Sequence, residues 1–558
     1  MAREFVVTFP DGTQRTYTEG VRLLDILQDV RPETGEYPIV AAHVDHKLVS
    51  LHYKPVDDIH LEFVDQSSLD GIRVYERSAA FLLTAAAARV FPGQKLYVLH
   101  HYSNGLYCEF ENRRELSEED LLRLKETMKQ MVEADLPIVP QAIDEESGVK
   151  FFRRIRSRED AVLLFKYMPE HQRIFVYRME NFIDYSYLPL VPSTGVLRKF
   201  DLLRYPPGLV LLLPERTDPR LLMPLRERPK LFNTFEESAR WVRILGVQNA
   251  GALNQLIARG NVSDFVKIAE ALHEKRIAAI ADEITRIRRE QNLRFVFIAG
   301  PSSSGKTTFT KRLAIQLRVN ELQPVVISLD NYFVDREKTP RDENGEPDFD
   351  ALEALDLPLL EDHLQRLWRG EEVEIPKFNF KTGRRSPKGW RLRLSPSQIV
   401  LMEGIHALNP RISGMVPEEA RYRIYVSALT QIGIDAHNRI STSDTRLIRR
   451  IVRDHLFRGH SALDTLRMWG NVRRNEERQI FPYQENVDTM FNSALLYELA
   501  VLKLYAEPLL EEISPEVPEY ADAVRLITLL SHFLGMLPTE VPPTSILREF
   551  IGGSSFRY

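Results

Sequence analysis

A chain of 558 residues, 44% hydrophobic and 27% charged, is too long for one core and has the make-up of a soluble protein of several domains. Its net charge of −5 excludes a wholesale electrostatic nucleic-acid binder. The lone cysteine, Cys108, excludes an intramolecular disulfide and a cysteine-built zinc site. No apolar run is long enough to span a membrane, and the start Met-Ala-Arg-Glu-Phe lacks a signal peptide's apolar core. The expectation is a cytoplasmic protein with no membrane partner.

Residues 3–8 and 13–17 predict two short strands around the turn Pro10-Asp11-Gly12. A helix over 21–30 and strands at 39–44 and 59–63 complete a small unit ending near residue 65. The next block opens with a helix over 75–90 and runs to the apolar stretch 209–213. Residues 214–229, rich in proline and charge, read as a boundary. From 235 to 290 the pattern is helical, with Ile268, Leu272, Ile277, Ile280, Ile284 and Ile287 three to five apart. From about 291 to 505 strands alternate with helices, which implies a parallel sheet. The residue types of the tail, 545–558, point to no mechanism.

Within the alternating region, Gly300-Pro-Ser-Ser-Ser-Gly-Lys-Thr307 lies between the predicted strand 295–299 and a helix from Thr308. Such a loop uses Gly300 and Gly305 to curl its amides inward, Lys306 to reach the β/γ-phosphates and Thr307 to hold Mg²⁺. The helix dipole adds to the same anion site. The donor-nucleotide set is Gly300, Ser302, Ser303, Ser304, Gly305, Lys306, Thr307 and Thr308, with ATP and Mg²⁺ as the implied cofactors. The strand 324–329 ends at Asp330-Asn331-Tyr332, and ligands of open α/β sheets lie at the carboxyl ends of strands. Asp330 could accept a proton from an attacking hydroxyl; a strand-end aspartate also caps turns, and residue type alone does not separate the two. Glu403, after the strand 399–402, fits a Mg²⁺ or water ligand. Arg446, Arg449, Arg450 and Arg453 lie three and four apart on a predicted helix. They read either as a solvated face or as groups that neutralise a transferring phosphoryl.

These motifs, in this order, resemble the uridine kinase and phosphoribulokinase family of P-loop kinases: 300–307, 328–332, Asp348-Phe-Asp350, Met402-Glu-Gly-Ile405 and Asp444-Thr-Arg-Leu-Ile-Arg-Arg450 with Arg453-Asp454. The resemblance implies Asp330 as the base for a nucleoside 5′-hydroxyl, Asp350 as a ribose contact and the arginine helix as a lid over the phosphates. It implies an acceptor set of Asp330, Tyr332, Asp350, Phe378, Phe380, Arg385 and Arg446. The catalytic set is Asp330, Lys306, Arg446, Arg449, Arg450 and Arg453, and the metal set is Thr307 and Glu403. Uridine kinases carry Pro-x-Tyr-Asp-Phe, then His and Arg, where this chain has Pro376-Lys-Phe378-Asn379-Phe380 and later Gly383 and Arg385. The lost phenol and imidazole are groups that would hydrogen-bond a pyrimidine.

Residues 1–65 resemble a TGS domain, the β-grasp module at the front of threonyl-tRNA synthetase, through Phe9-Pro-Asp-Gly-Thr-Gln-Arg15. Residues 66–215 resemble the editing domain of threonyl- and alanyl-tRNA synthetases, through Pro192-Ser-Thr-Gly195 and Phe200. Arg77 and Phe81 stand where that domain has its two histidines, so the resemblance implies an inert relative. The expected organisation is multidomain α/β. An N-terminal β-grasp (1–65) and an α+β editing-like domain (66–215) lead through a helical connector (216–290) to a P-loop kinase domain with a parallel sheet (291–505), then a C-terminal helical segment and tail (506–558). The implied activity is an ATP-dependent nucleoside kinase acting on the 5′-hydroxyl of a pyrimidine such as uridine. The alternatives are another nucleoside or a sugar phosphate as acceptor, or a nucleotide-dependent RNA-binding regulator. The front half could take an RNA or nucleotide ligand, and the sequence leaves the oligomeric state open.

Overall fold

The computed structural model describes residues 3–30, 37–156, 158–168, 174–341, 345, 347–379 and 382–557. Strands Glu4–Thr8 and Gln14–Thr18 pair antiparallel, and Glu4–Thr8 also runs parallel to Ile59–Asp65. Ile39–Val44 and the short Lys47–Val49 complete a five-stranded sheet. Alternation along the first strand sends Phe5 and Val7 inward, where they pack with Leu23 and Ile26 of the helix Leu23–Val30. The sequence pattern marks these elements closely but not Lys47–Val49, which is too short to show a period.

The helix predicted over 75–90 starts earlier, at Leu69, because the Ser68 hydroxyl accepts from the Gly71 N–H and caps it. It runs to Val90, and its alanine-rich stretch is buried among strands Leu96–Tyr102, Gly105–Phe110 and Gly208–Leu212. A second antiparallel sheet, Val139–Ile143, Ile174–Met179 and Phe182–Tyr185, lies alongside. Helices Pro229–Leu245, Ala250–Ala258 and Val262–Glu290 follow; Ile277, Ile280 and Ile284 are fully buried, whereas Ile268 of the same pattern is exposed.

The sheet beyond them is all parallel, in the order Gln323–Ser328, Gln398–Glu403, Phe295–Ala299, Arg421–Ser427, Thr489–Asn492. Phe295–Ala299 is central and solvent-free on both faces, which is why it reads as a continuous apolar run. Register places Ile298 and Ser328 on either side of Glu403, so the segments leaving the three strands emerge side by side. One continuous apolar core links this sheet to Phe152 and Phe165 of the front half and to Leu526, Leu529 and Phe550 near the carboxyl end.

Candidate functional site

The loop 300–305 is shaped by two glycines. A Cβ on Gly300 would lie 1.9 Å from the Val426 carbonyl oxygen, and Gly305 has φ +80°, where other residues are strained. Lys306 opens the helix Lys306–Val319, and its Nζ donates to the Pro301 carbonyl at 3.1 Å. The Thr307 hydroxyl donates to Glu403 Oε1 at 3.2 Å. The side-chain hydroxyls of Ser303 and Ser304 are buried with no hydrogen-bond partner. A buried polar group without a partner is costly, so these oxygens mark a place made for a ligand.

Three carboxylates surround the single ammonium. Burial pushes Glu403 up to about 7, against the pull of Lys306; Asp330 and Glu549 push the same way as burial. Asp330 is raised from the usual carboxylate range, by burial first, with Lys306 opposing and Asp350 adding. Burial also lowers Lys306, which these carboxylates only partly offset. No hydrogen bond to the Asp330 carboxylate is found among the described residues. Excess negative charge beside a Thr hydroxyl fits Mg²⁺, which binds through one or two protein groups and completes its shell with water and phosphate oxygens. No cluster of three acidic, His or Cys groups exists among the described residues to hold a metal without such help.

The arginine helix, Thr442–Arg458, divides into two pairs. Arg446 and Arg449 are buried under the loop rather than open over it. Arg446 donates to the Ser302 carbonyl at 2.9 Å and pairs with Glu476, which also accepts the Ser302 N–H. Arg449 donates to the Ser303 carbonyl at 3.3 Å and the Ser493 carbonyl at 2.9 Å, and pairs with Glu498. Arg450 reaches the Ser302 hydroxyl at 2.8 Å and, like Arg453, is paired with Asp454.

The acceptor-side residues also divide. The Asp350 carboxyl is raised by burial and drawn down by Arg450. Tyr332 instead points into the core, with its hydroxyl 3.1 Å from His363 Nδ1. Arg385 clamps its own neighbourhood, donating to the Phe333 and Tyr332 carbonyls and to Asp356, each at 2.9 Å. Phe378 packs edge-on to Phe333 at 5.7 Å. Phe380 lies outside the described residues. Glu476, Ser493 and Glu549 join the site without any sequence signal; each comes from a segment more than 170 residues beyond the loop.

In the front half, Arg77 and Phe81 lie on the helix Leu69–Val90. Arg77 is half-buried and donates to the Pro189 carbonyl at 3.3 Å, while Phe81 packs edge-on against Phe182 at 5.1 Å.

Residues 295–495 match the model of the Phosphoribulokinase / Uridine kinase family. That region is a kinase-family module with a nucleotide-binding P-loop. The N-terminal half is similar to threonine–tRNA ligases. The ligase of Symbiobacterium thermophilum is 33% identical over 197 residues, 35% of this chain and 30% of that one. The ligase of Marinobacter nauticus is 29% identical over the same length and shares. The chain therefore spans about 30% of the length of these curated relatives. Among solved structures, D-glycerate 3-kinase from Cryptococcus neoformans is 15% identical, covering 46% of this chain and 87% of that one with a TM-score of 0.23. No described helix is long and apolar enough to cross a membrane.

Proposed function

We infer that the chain is an ATP-dependent kinase that transfers the γ-phosphate to the 5′-hydroxyl of a nucleoside, with a pyrimidine ribonucleoside such as uridine as the preferred acceptor. The observation that carries this reading is the Asp330 carboxylate, which follows the strand Gln323–Ser328, feels the charges of Lys306 and Asp350, and has no hydrogen bond among the described residues. A switch that only binds nucleotide has no use for a base there. The amides of 300–305 and Lys306 hold the phosphates of the donor, and Thr307 with Glu403 holds Mg²⁺. Bound there, the ion would supply positive charge to offset that of the phosphates. Asp350 orients the acceptor's ribose. Asp330 takes the hydroxyl proton as the oxygen forms its bond to the γ-phosphorus and ADP departs with the electrons of the broken bond. Arg450 donates to the Ser302 hydroxyl at 2.8 Å and interacts with Asp350, so it is the group to neutralise the transferring phosphoryl.

A panel of nucleosides and phosphorylated sugars with ATP tests the reading. The expected result is a phosphorylated nucleoside, lost in Asp330→Asn. Turnover of a phosphorylated sugar alone would move the acceptor within the same chemistry, and no transfer to any acceptor would overturn it. A second reading concerns the front half, whose similarity to threonine–tRNA ligases supports contact with an RNA. Retention of tRNA that weakens steeply with salt is the expected outcome there; a flat salt response removes it.

A further inference from the structure

The strap 545–557 has no task in the proposed reaction, yet it is docked on the phosphate loop. Ile546, Leu547 and Phe550 are buried, and the Arg449 guanidinium sits 5.0 Å over the Phe550 ring. The packing on the loop is close enough that a Cβ on Gly305 would lie 2.4 Å from Ile546 Cγ2. Arg548 donates to the Pro538 and Val541 carbonyls at 2.7 Å, and Lys311 Nζ to the Arg557 carbonyl at 2.6 Å. The strap's backbone is thereby fixed from both sides.

Glu549 is the polar side chain that this packing delivers to the loop. Its Oε2 accepts from the Thr308 N–H at 3.0 Å and from the Thr308 hydroxyl at 2.7 Å. Thr308 lies in the first turn of the helix Lys306–Val319, where a phosphate-binding loop offers its donors to the nucleotide. One pair of donors cannot serve a carboxylate and a phosphate together. Asp330 and Glu403 already set two carboxylates against Lys306, so a triphosphate arriving beside Glu549 meets like charge.

We propose that Glu549 is a built-in competitor, its carboxylate filling the donor-phosphate seat of the resting chain and swinging out when nucleotide phosphates arrive, while the strap's backbone stays docked. The proposal rests on the donor-site reading above. A seat occupied most of the time reduces apparent affinity by the fraction left open, so the competitor raises the nucleotide concentration the chain needs.

The test compares full-length wild type with Glu549→Gln, which removes the charge, and Glu549→Ala, which removes charge and contact. Binding of ADP and of inorganic tripolyphosphate is measured by calorimetry with Mg²⁺ present. Both variants are expected to bind both probes roughly fivefold to tenfold tighter than wild type, the alanine variant at least as tightly as the glutamine one. Tripolyphosphate should gain as much as ADP, because the competition is for phosphate alone. A cooperative melt of each unliganded variant verifies that it folds. Equal or weaker binding by both variants, with wild type still binding, overturns the competitor and leaves the kinase reading standing. No binding of either probe to any of the three chains overturns both.

Discussion

Arg158 and Lys306 are both cations inside the fold, yet the acids around them are treated differently. Arg158 lies 2.7 Å from Asp160 and Asp184, 3.1 Å from Asp435 and 2.8 Å from His437 Nδ1. The Asp160 carboxylate takes Lys95 and the Ala436 N–H as well, so this node joins the front half to the kinase region with its acids in full use. Among the described residues, Lys306 has a carbonyl as its hydrogen-bond partner, while the Asp330 carboxylate goes without and Glu403 has one hydroxyl. A saturated buried network fixes the relation of two units. An unsaturated one retains charge for a ligand, at a cost in stability.

Breaking each node separates these roles. Lys306→Ala should lower phosphate transfer by roughly a thousandfold or more with little change in melting temperature, as followed by coupled ADP release and calorimetry. An undiminished rate would remove the loop from the chemistry. Arg158→Leu should do the opposite, costing about 3–5 kcal/mol of stability because three buried carboxylates lose their common cation. Urea unfolding measures it, and a loss within experimental error would mean that water or the remaining cations satisfy the acids. Arg385→Lys removes one arm of a three-point clamp on the 332–356 segment, so a severalfold rise in acceptor KM with a smaller change in kcat is expected from steady-state kinetics.

Glu403 gives a smaller, signed effect. Raised from 4.5 to about 7, it keeps a proton in the folded chain that the unfolded chain has released across that window. Stability therefore falls as pH rises from 4.5 towards 7, and the slope is gone above the folded value. Glu403→Gln should flatten that fall and stabilise the ligand-free protein at pH 8 by on the order of 1 kcal/mol. A steeper slope in the variant would mean that another group carries the proton. Smallest of all, Arg89→Ala opens a pair with Glu180 whose side chains are 52% and 46% exposed. A change below about 0.5 kcal/mol is expected, and a larger one would show that exposed pairs are not screened here.

The parallel sheet and its loop were legible because they are written locally. Five consecutive apolar residues before Gly300 and the glycine spacing after them specify strand, turn and helix without reference to the rest of the chain. The fate of the four arginines was not legible. Helical spacing puts them on neighbouring faces, but only the packing of Glu476, Ser493 and Glu498 against that helix decides that Arg446 and Arg449 turn inward to the loop carbonyls. Tyr332 and Arg385 follow the same rule, since a phenol and a guanidinium look the same in sequence whether they face a ligand or His363 and Asp356.

By itself the sequence determined a phosphate loop on a strand-to-helix turn, an acidic residue at two strand ends and a small front unit of strands and a helix ending near residue 65. These depend on contacts between residues close in the chain, which periodicity and glycine placement encode. Tertiary structure alone decided that Glu549 sits on Thr308, that the strap packs on Gly305 and that one core runs from Phe152 to Phe550. Those contacts join residues hundreds of positions apart, and no local pattern of residue types specifies which distant carboxylate will be delivered to a buried amide.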